Sequence, residues 1–172
     1  MTLPAPGVVL PEDPAATLIV ATSGGKDSTA MALWLLRDSG VPNPMRFVFN
    51  DTGHEHPATY AYIDTLAAAL DRPIERTPAT FTFESLAAKK QRFPSAKARF
   101  CTQELKVFPM ARWIAAEVKA GRGVNPILCQ GVRADESVRR AAMPEWDNSL
   151  GDYDGFYAIW RPILRWSVDD VF

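Results

Sequence analysis

Leu18-Ile19-Val20-Ala21-Thr22-Ser23-Gly24-Gly25-Lys26-Asp27-Ser28 decides the fold. Leu18 to Ala21 is a short apolar run of the kind that forms a strand buried on both faces. From about Ser28 to Asp38, apolar Met31, Leu33, Trp34, Leu35 and Leu36 crowd the chain and predict a heavily buried helix. Between them lies a polar turn with two glycines. A buried strand, a glycine turn and a buried helix make the opening of an α/β unit.

The same alternation continues outward. Gly40-Val41-Pro42-Asn43-Pro44 stops the first helix, and Arg46 to Asn50 reads as a second strand. The spacing of Tyr60, Ile63, Leu66, Ala67 and Leu70 predicts a helix from about Pro57 to Leu70. Pro73 to Arg76 is a weaker third strand, and Thr82 to Lys90 a further helix. A long helical region from Ala98 to Val118 carries Pro109, where a kink or split is expected. Pro126 to Gly131 is another strand leading into Val132 and Arg133. Tyr157 to Ile163 reads as an edge or late strand, because Pro162 disfavours a central one. No internal repeat is visible. The expectation is one domain over 1–172, an open, mostly parallel α/β sheet with helices on both faces and its site at the carboxyl ends of the strands. Ser167 to Phe172 resembles the first turn of a helix capped by Ser167, so the natural chain is expected to continue or its terminal helix to be unrepresented here.

Composition narrows the function. With 47% hydrophobic and 23% charged residues the chain is too apolar to be a disordered segment. Nineteen Lys and Arg against twenty Asp and Glu leave no global field for a polyanion, so any anion site must be local. Residues 84–122 hold nine basic and three acidic side chains, whereas 141–172 hold two and six. A basic lip over an anion pocket fits that separation, as does a solvated helix face. Two cysteines, Cys101 and Cys129, do not make a disulfide scaffold. With only His54 and His56 beside them, no metal site and no iron-sulfur cluster is expected. The opening residues lack the pattern of a secretory signal, and the longest apolar run, Ala30 to Leu36, is far short of a membrane span. A cytoplasmic protein with no membrane partner is expected.

The hexapeptide Ser23-Gly24-Gly25-Lys26-Asp27-Ser28 carries the chemistry. The glycines let the backbone approach an anion, the helix start supplies unpaired N–H groups, Lys26 adds a charge, and Ser23 and Ser28 add hydroxyl donors. The order is neither that of a Walker A loop nor that of a dinucleotide fingerprint. Asp51-Thr52-Gly53 follows the second strand beside this loop; Asp51 reads as an acceptor for a ligand donor, as an aid in positioning a metal, or as a helix cap. His54 and His56 suit loop hydrogen bonding better than metal. Arg133, Arg139 and Arg140 form a second anion grip of rigid donor forks, with Glu136 anchoring one guanidinium. Cys101, beside Arg99 and upstream of Lys106, reads as a pocket-facing contact, with inert packing and a reactive thiol as alternatives. Cys129 reads as core.

Taken together, these blocks resemble the PP-loop ATP pyrophosphatase superfamily, and within it the phosphoadenosine phosphosulfate (PAPS) reductase-like branch. The likeness rests on SGGKDS at 23–28, NDTGHEHPATY at 50–60, RFCTQELK at 99–106, GVRADESVRR at 131–140 and RPILRWSVDDVF at 161–172. It implies an adenine nucleotide alpha hydrolase-like fold. It also implies that an adenine nucleotide (PAPS, adenylyl sulfate or ATP, the last with Mg2+) contacts Ser23, Gly24, Gly25, Lys26, Asp27, Ser28, Asp51, Thr52, Gly53, Cys101, Lys106, Gly131, Arg133, Arg139 and Arg140. Lys26 and Arg133 are the catalytic expectations. Two enzyme activities follow from the resemblance: reduction of a sulfonucleotide to sulfite with a thioredoxin-like thiol donor, or adenylation of an acceptor in sulfur transfer or nucleic-acid modification. PAPS reductase-like enzymes carry their nucleophilic cysteine in a C-terminal ECGLH-type segment, which these residues do not contain. A noncatalytic nucleotide sensor is the reading of a different class. A homodimer or partner subunit is a further expectation, and nucleic acid stays an open partner.

Overall fold

The computed structural model describes residues 8–78, 80–95, 98–148 and 157–172. The start of the Pro-rich lead-in, Lys97 of the basic stretch, and Asp152 and Asp154 of the acidic stretch lie outside the described residues.

Six strands form one sheet in the order β3-β2-β1-β4-β6-β5. They are β1 (Leu18–Thr22), β2 (Met45–Asn50), β3 (Ile74–Thr77), β4 (Ile127–Gln130), β5 (Trp146–Asp147) and β6 (Ala158–Trp160). Every pairing is parallel except β5 with β6, with Leu18 set against Met45 on one side and Ile127 on the other. Alternation along the strands then sorts the core into two faces. Leu18, Val20, Phe47, Ile127, Cys129 and Trp160 pack against Met31, Trp34 and Leu35 of α1 (Lys26–Arg37) and Leu66 and Leu70 of α2 (Pro57–Leu70). Ile19, Val48, Leu128 and Ile159 face the opposite way, onto Met110, Trp113 and Ile114 of α5 (Phe108–Lys119). Helices therefore cover both faces of a mostly parallel sheet, as the alternation of elements implies.

The chain leaves β1 toward β2 on one side, and β4 later adds on the other. The carboxyl ends of β1 and β4 thus flank the point where strand order reverses, the place where an open α/β sheet leaves a crevice.

Several boundaries differ from expectation. α1 begins at Lys26, not near Ser28, with extended Gly25 as its N-cap, so Lys26 and Asp27 lie in the first helical turn. The helical region after residue 98 is three pieces: α4 (Phe100–Thr102), a π-helical turn at Gln103–Val107, and α5. Pro109 sits in the first turn of α5, where its missing N–H costs little; the widened turn comes just before it. The late strand is β6, and it is interior. Pro162 lies beyond its end, and the two-residue β5 takes the edge. α3 (Phe83–Lys90) starts at the expected place, capped by Thr82 Oγ1 at 3.2 Å from Ser85 N. Ser167 caps a terminal turn, accepting from Asp170 N at 3.3 Å while its own N–H and hydroxyl reach Asp170 Oδ2. A 3-10 turn at Ala134–Glu136 and α6 (Val138–Ala141) follow β4, short elements without a periodic signal.

Candidate functional site

Five residues separate β1 from the middle of the first turn of α1, and their conformation is over-determined. Gly24 has φ of 75°, and a Cβ there would come 3.3 Å from Thr59 Cγ2. Ser28 Oγ accepts from Ser23 N at 3.1 Å, lies 3.0 Å from Ser23 Oγ, and donates to Gly25 O at 3.0 Å. The two serines thus pin the loop across its mouth. Thr29 N donates to Gly25 O at 3.0 Å, whereas the N–H groups of Lys26, Asp27 and Ser28 have no carbonyl one turn back within the helix and, with the positive helix end, are what the loop offers an anion.

The loop is braced from β4. A Cβ on Gly131 would lie 2.6 Å from Ser28 Cα and 2.8 Å from Ser28 N, so the backbone after β4 touches the first turn of α1. Two residues on, Arg133 is buried and its Nε donates to Asp27 Oδ1 at 2.8 Å. Lys26 Nζ reaches the same oxygen at 2.8 Å. Burial opposes ionisation of Asp27, but the hydrogen bonds and charges of Lys26 and Arg133 outweigh it and hold the carboxyl below its ordinary pKa. Two cations thus share one carboxylate. Glu136 Oε2 accepts from Arg133 N at 3.1 Å and its other oxygen pairs with Arg140, the anchoring role expected of it. Among the described residues Arg133 Nη1 has no hydrogen-bond partner, with Asp135 Oδ2 at 3.9 Å.

Beside the loop lies a cavity of about 340 Å³. Ser23 and Ser28 form one wall; Phe49, Met110, Leu128, Tyr157 and Ile159 give it an apolar floor, and Asn50, Glu55, Lys106 and Gln130 bring polar groups. It is of a size for a small organic ligand with an apolar ring. A second, more open cleft of about 1020 Å³ shares Thr102, Val107 and Val132 with it. Arg92, Arg99, Arg139 and Arg140 line that cleft.

The expected site residues therefore divide. Ser23, Ser28, Lys106 and Gly131 line the cavity, and Gly24, Gly25, Lys26 and Asp27 complete its loop. Arg139 and Arg140 line the outer cleft. Arg133 lines neither; it stands behind the loop as a brace. Asp51, Thr52 and Gly53 are likewise absent from the wall. Asp51 is spent on Gly53 N at 2.9 Å, Tyr60 Oη at 2.8 Å and Arg76 Nη1 at 3.4 Å, while Thr52 Oγ1 donates to Glu55 at 2.8 Å. Asp51 caps no helix: His56 Nδ1 caps α2, accepting from Ala58 N at 3.1 Å. His54 pairs with Glu84 at 2.7 Å. Cys101 is half-buried next to the lining residue Thr102 but lines neither space, and Cys129 is fully buried, where desolvation raises its thiol pKa. Sequence reasoning missed Phe49, Tyr157 and Ile159, whose apolar character signals only a core. Among the described residues no group of three or more His, Cys, Asp or Glu is placed to hold a metal ion. No helix among them is long and apolar enough to cross a membrane.

Residues 17–172 match the phosphoadenosine phosphosulfate reductase domain family. The uncharacterised 37.8 kDa protein of the gpa 5′ region of Escherichia phage 186 is 35% identical over 90% of this chain and 58% of its own length. The uncharacterised nin region protein ORF290 of Escherichia phage lambda is 29% identical over 73% of this chain and 51% of its own. The chain thus spans little more than half the length of these curated relatives. Among solved structures, the phosphate complex of PAPS reductase from Candida auris superposes with a TM-score of 0.58 at 20% identity, over 90% of this chain and 68% of that one. Yeast FAD synthetase in complex with FAD gives 0.53 at 13% identity, over 93% and 50%. Likeness at such identity is one of fold, and that fold is the adenine nucleotide alpha hydrolase-like architecture.

Proposed function

Because the chain belongs to the phosphoadenosine phosphosulfate reductase domain family, we propose that it binds an adenine nucleotide and serves in reductive cleavage of a sulfonucleotide. In this reading the adenosine occupies the 340 Å³ cavity and the anionic 5′ chain lies on Ser23 to Ser28. One observation carries it: the serine-pinned loop, with Lys26 at its exposed edge, opens onto an apolar cavity at the strand-order reversal.

The roles of the chain's own groups follow. Lys26 and the first-turn N–H groups offset charge as the nucleotide phosphate becomes the leaving group. Arg133 is a positioning residue acting through Asp27. A thiolate attacks the sulfur of the sulfonucleotide, forming a thiosulfonate and releasing the adenosine phosphate; a second thiol then displaces sulfite and leaves a disulfide. Cys101 and Cys129 are the two cysteines of the sequence and neither lines the cavity, so in this reading the thiols come from a thioredoxin-like donor. The same thiol-free wall favours a second reading, in which ATP adenylates an acceptor oxygen and pyrophosphate leaves from the loop.

The test is an equilibrium competition among PAPS, adenylyl sulfate and ATP with Mg2+ on this 172-residue chain. A preference above tenfold for a sulfonucleotide supports the reductive reading. Preference for ATP transfers the site to adenylation or sensing, separated by multiple-turnover release of pyrophosphate. Binding of none of the three sinks the nucleotide site itself.

A further inference from the structure

We infer that the face formed by α3, the segment after it and the outer arginine cleft binds single-stranded nucleic acid. The inference goes beyond the nucleotide site and does not depend on which nucleotide fills the cavity.

The charge on this face is concentrated and largely unspent. Arg92, Arg99, Arg139 and Arg140 line the cleft, and Glu136 is the one carboxylate among its described lining residues. Glu136 is already taken by Arg140 and by the backbone N–H of Arg133. No carboxylate of the described residues pairs with Arg92, Arg99 or Arg139. A formal net charge of -1 for the whole chain makes such a cluster a local feature, not a consequence of overall basicity.

Aromatic faces accompany the cations. The Arg92 guanidinium carbon lies 5.7 Å and Lys90 Nζ 6.0 Å from the centre of the Phe100 ring, which lines the cleft. Next to Arg92, Phe93 is 76% exposed. Its ring stacks on Phe83 at 6.5 Å and 28°, and Phe83 stacks on His54 at 4.8 Å and 17°. A ladder of three rings therefore runs to the surface beside the arginines, with its outermost member uncovered. Phe93 thus offers an open ring face next to Arg92.

Cations spaced along a cleft beside open ring faces are what an unpaired strand requires: phosphates on the arginines and bases stacked on the aromatics. An acidic polypeptide would match the arginines, but its carboxylates do not stack on the rings as a base does. A duplex would present phosphates but keep its base faces to itself. Thr102, Val107 and Val132 line both the cleft and the nucleotide cavity, so a strand lying in the cleft runs beside the wall of that cavity.

Fluorescence anisotropy on the 172-residue chain tests this with a labelled single-stranded DNA of about 20 nucleotides, its RNA counterpart and the duplex. Single strands are expected to bind at least tenfold more tightly than the duplex. Neutralising three phosphates predicts that affinity falls about twentyfold between 50 and 200 mM salt. Phe93→Ala and the double variant Arg92→Ala/Arg99→Ala should each weaken single-strand binding about tenfold and leave the far-ultraviolet circular dichroism spectrum and cooperative thermal unfolding in place, which shows that they fold. Three outcomes overturn the inference: no single-strand binding at 50 mM salt by a chain that still binds nucleotide, binding indifferent to these substitutions, or displacement by polyglutamate as effective as by the unlabelled strand. Strand binding with this pattern in a chain that takes none of the three nucleotides leaves the inference standing and removes the nucleotide reading alone.

Discussion

Arg133 Nε and Asp27 Oδ1, 106 residues apart in sequence, meet at 2.8 Å in the protein interior. Their pairing fastens the end of β4 to the first turn of α1, and so fixes the loop that faces the cavity. Asp27 has a second cation in Lys26, whereas among the described residues the Arg133 guanidinium has no other partner this close. The two partners are therefore unequal in what their removal leaves behind.

Replacing Asp27 by Asn should strand a buried guanidinium and destabilise the chain by about 3 kcal/mol. The double variant Asp27→Asn/Arg133→Met should regain a good part of that loss, because no uncompensated charge stays inside. Urea unfolding of the three proteins checks this. A double variant no more stable than the single one would show that the pair does not act as a unit.

A second prediction concerns the backbone contact beside that pair. Gly131→Ala would put a methyl group against Ser28 Cα and N, neither of which can rotate away. Overpacking of this kind costs about 1–3 kcal/mol, and here it also pushes on the loop, so nucleotide affinity should fall with stability. Gly123→Ala, with no atom within 4 Å of the new Cβ, should change neither. Thermal unfolding and nucleotide binding on both variants provide the comparison.

Local signals in the sequence carried the loop and most elements. Strand, glycine turn and buried helix announce themselves within Leu18 to Leu36, and α2 runs over the expected Pro57 to Leu70 because His56-Pro57 opens it and its apolar spacing persists to the end. Elements defined by distant partners left no such mark. β5 is two residues long and exists only because Trp146 pairs with Trp160 across the sheet. The direction of Arg133 depends on how closely β4 approaches α1, which no spacing encodes. The arginine cleft likewise gathers residues 92, 99, 139 and 140 from two separate segments. Its aromatic companions look, in sequence, like ordinary core.

At the opposite end of the sheet, acidity should dissolve an ion network. Glu117 receives Arg122 at 2.6 Å on both oxygens and Arg46 at 2.7 Å, and Arg46 also binds Glu75 at 2.8 Å. The hydrogen bonds from Arg122, then those and the charge of Arg46, overcome burial and lower the Glu117 pKa to about 2. A depressed folded pKa means stabilisation that is complete above the ordinary carboxyl value and disappears as pH falls toward 2. The stability gap between the natural chain and Glu117→Gln should be constant from pH 7 to 5 and close below pH 4.5. A gap as wide at pH 2.5 as at pH 7 would exclude Glu117 as the titrating group.

Lys26 and Arg133 share Asp27 but should fail differently when removed. The Lys26 side chain is 42% exposed and Arg133 still holds Asp27 without it, so Lys26→Ala should cost little stability. Its ammonium is nonetheless the loop's accessible cation, and its loss should weaken nucleotide binding by tenfold or more, about 1.4 kcal/mol per factor of ten. Arg133→Ala removes a buried brace from behind the loop, so stability and affinity should fall together. Measuring unfolding and nucleotide affinity on both variants separates the roles. Unchanged affinity in Lys26→Ala would contradict a phosphate-holding loop. Lowered affinity in Arg133→Ala with full stability would make the guanidinium a direct ligand contact instead of a brace, with its unpartnered Nη1 as the donor that reaches the anion.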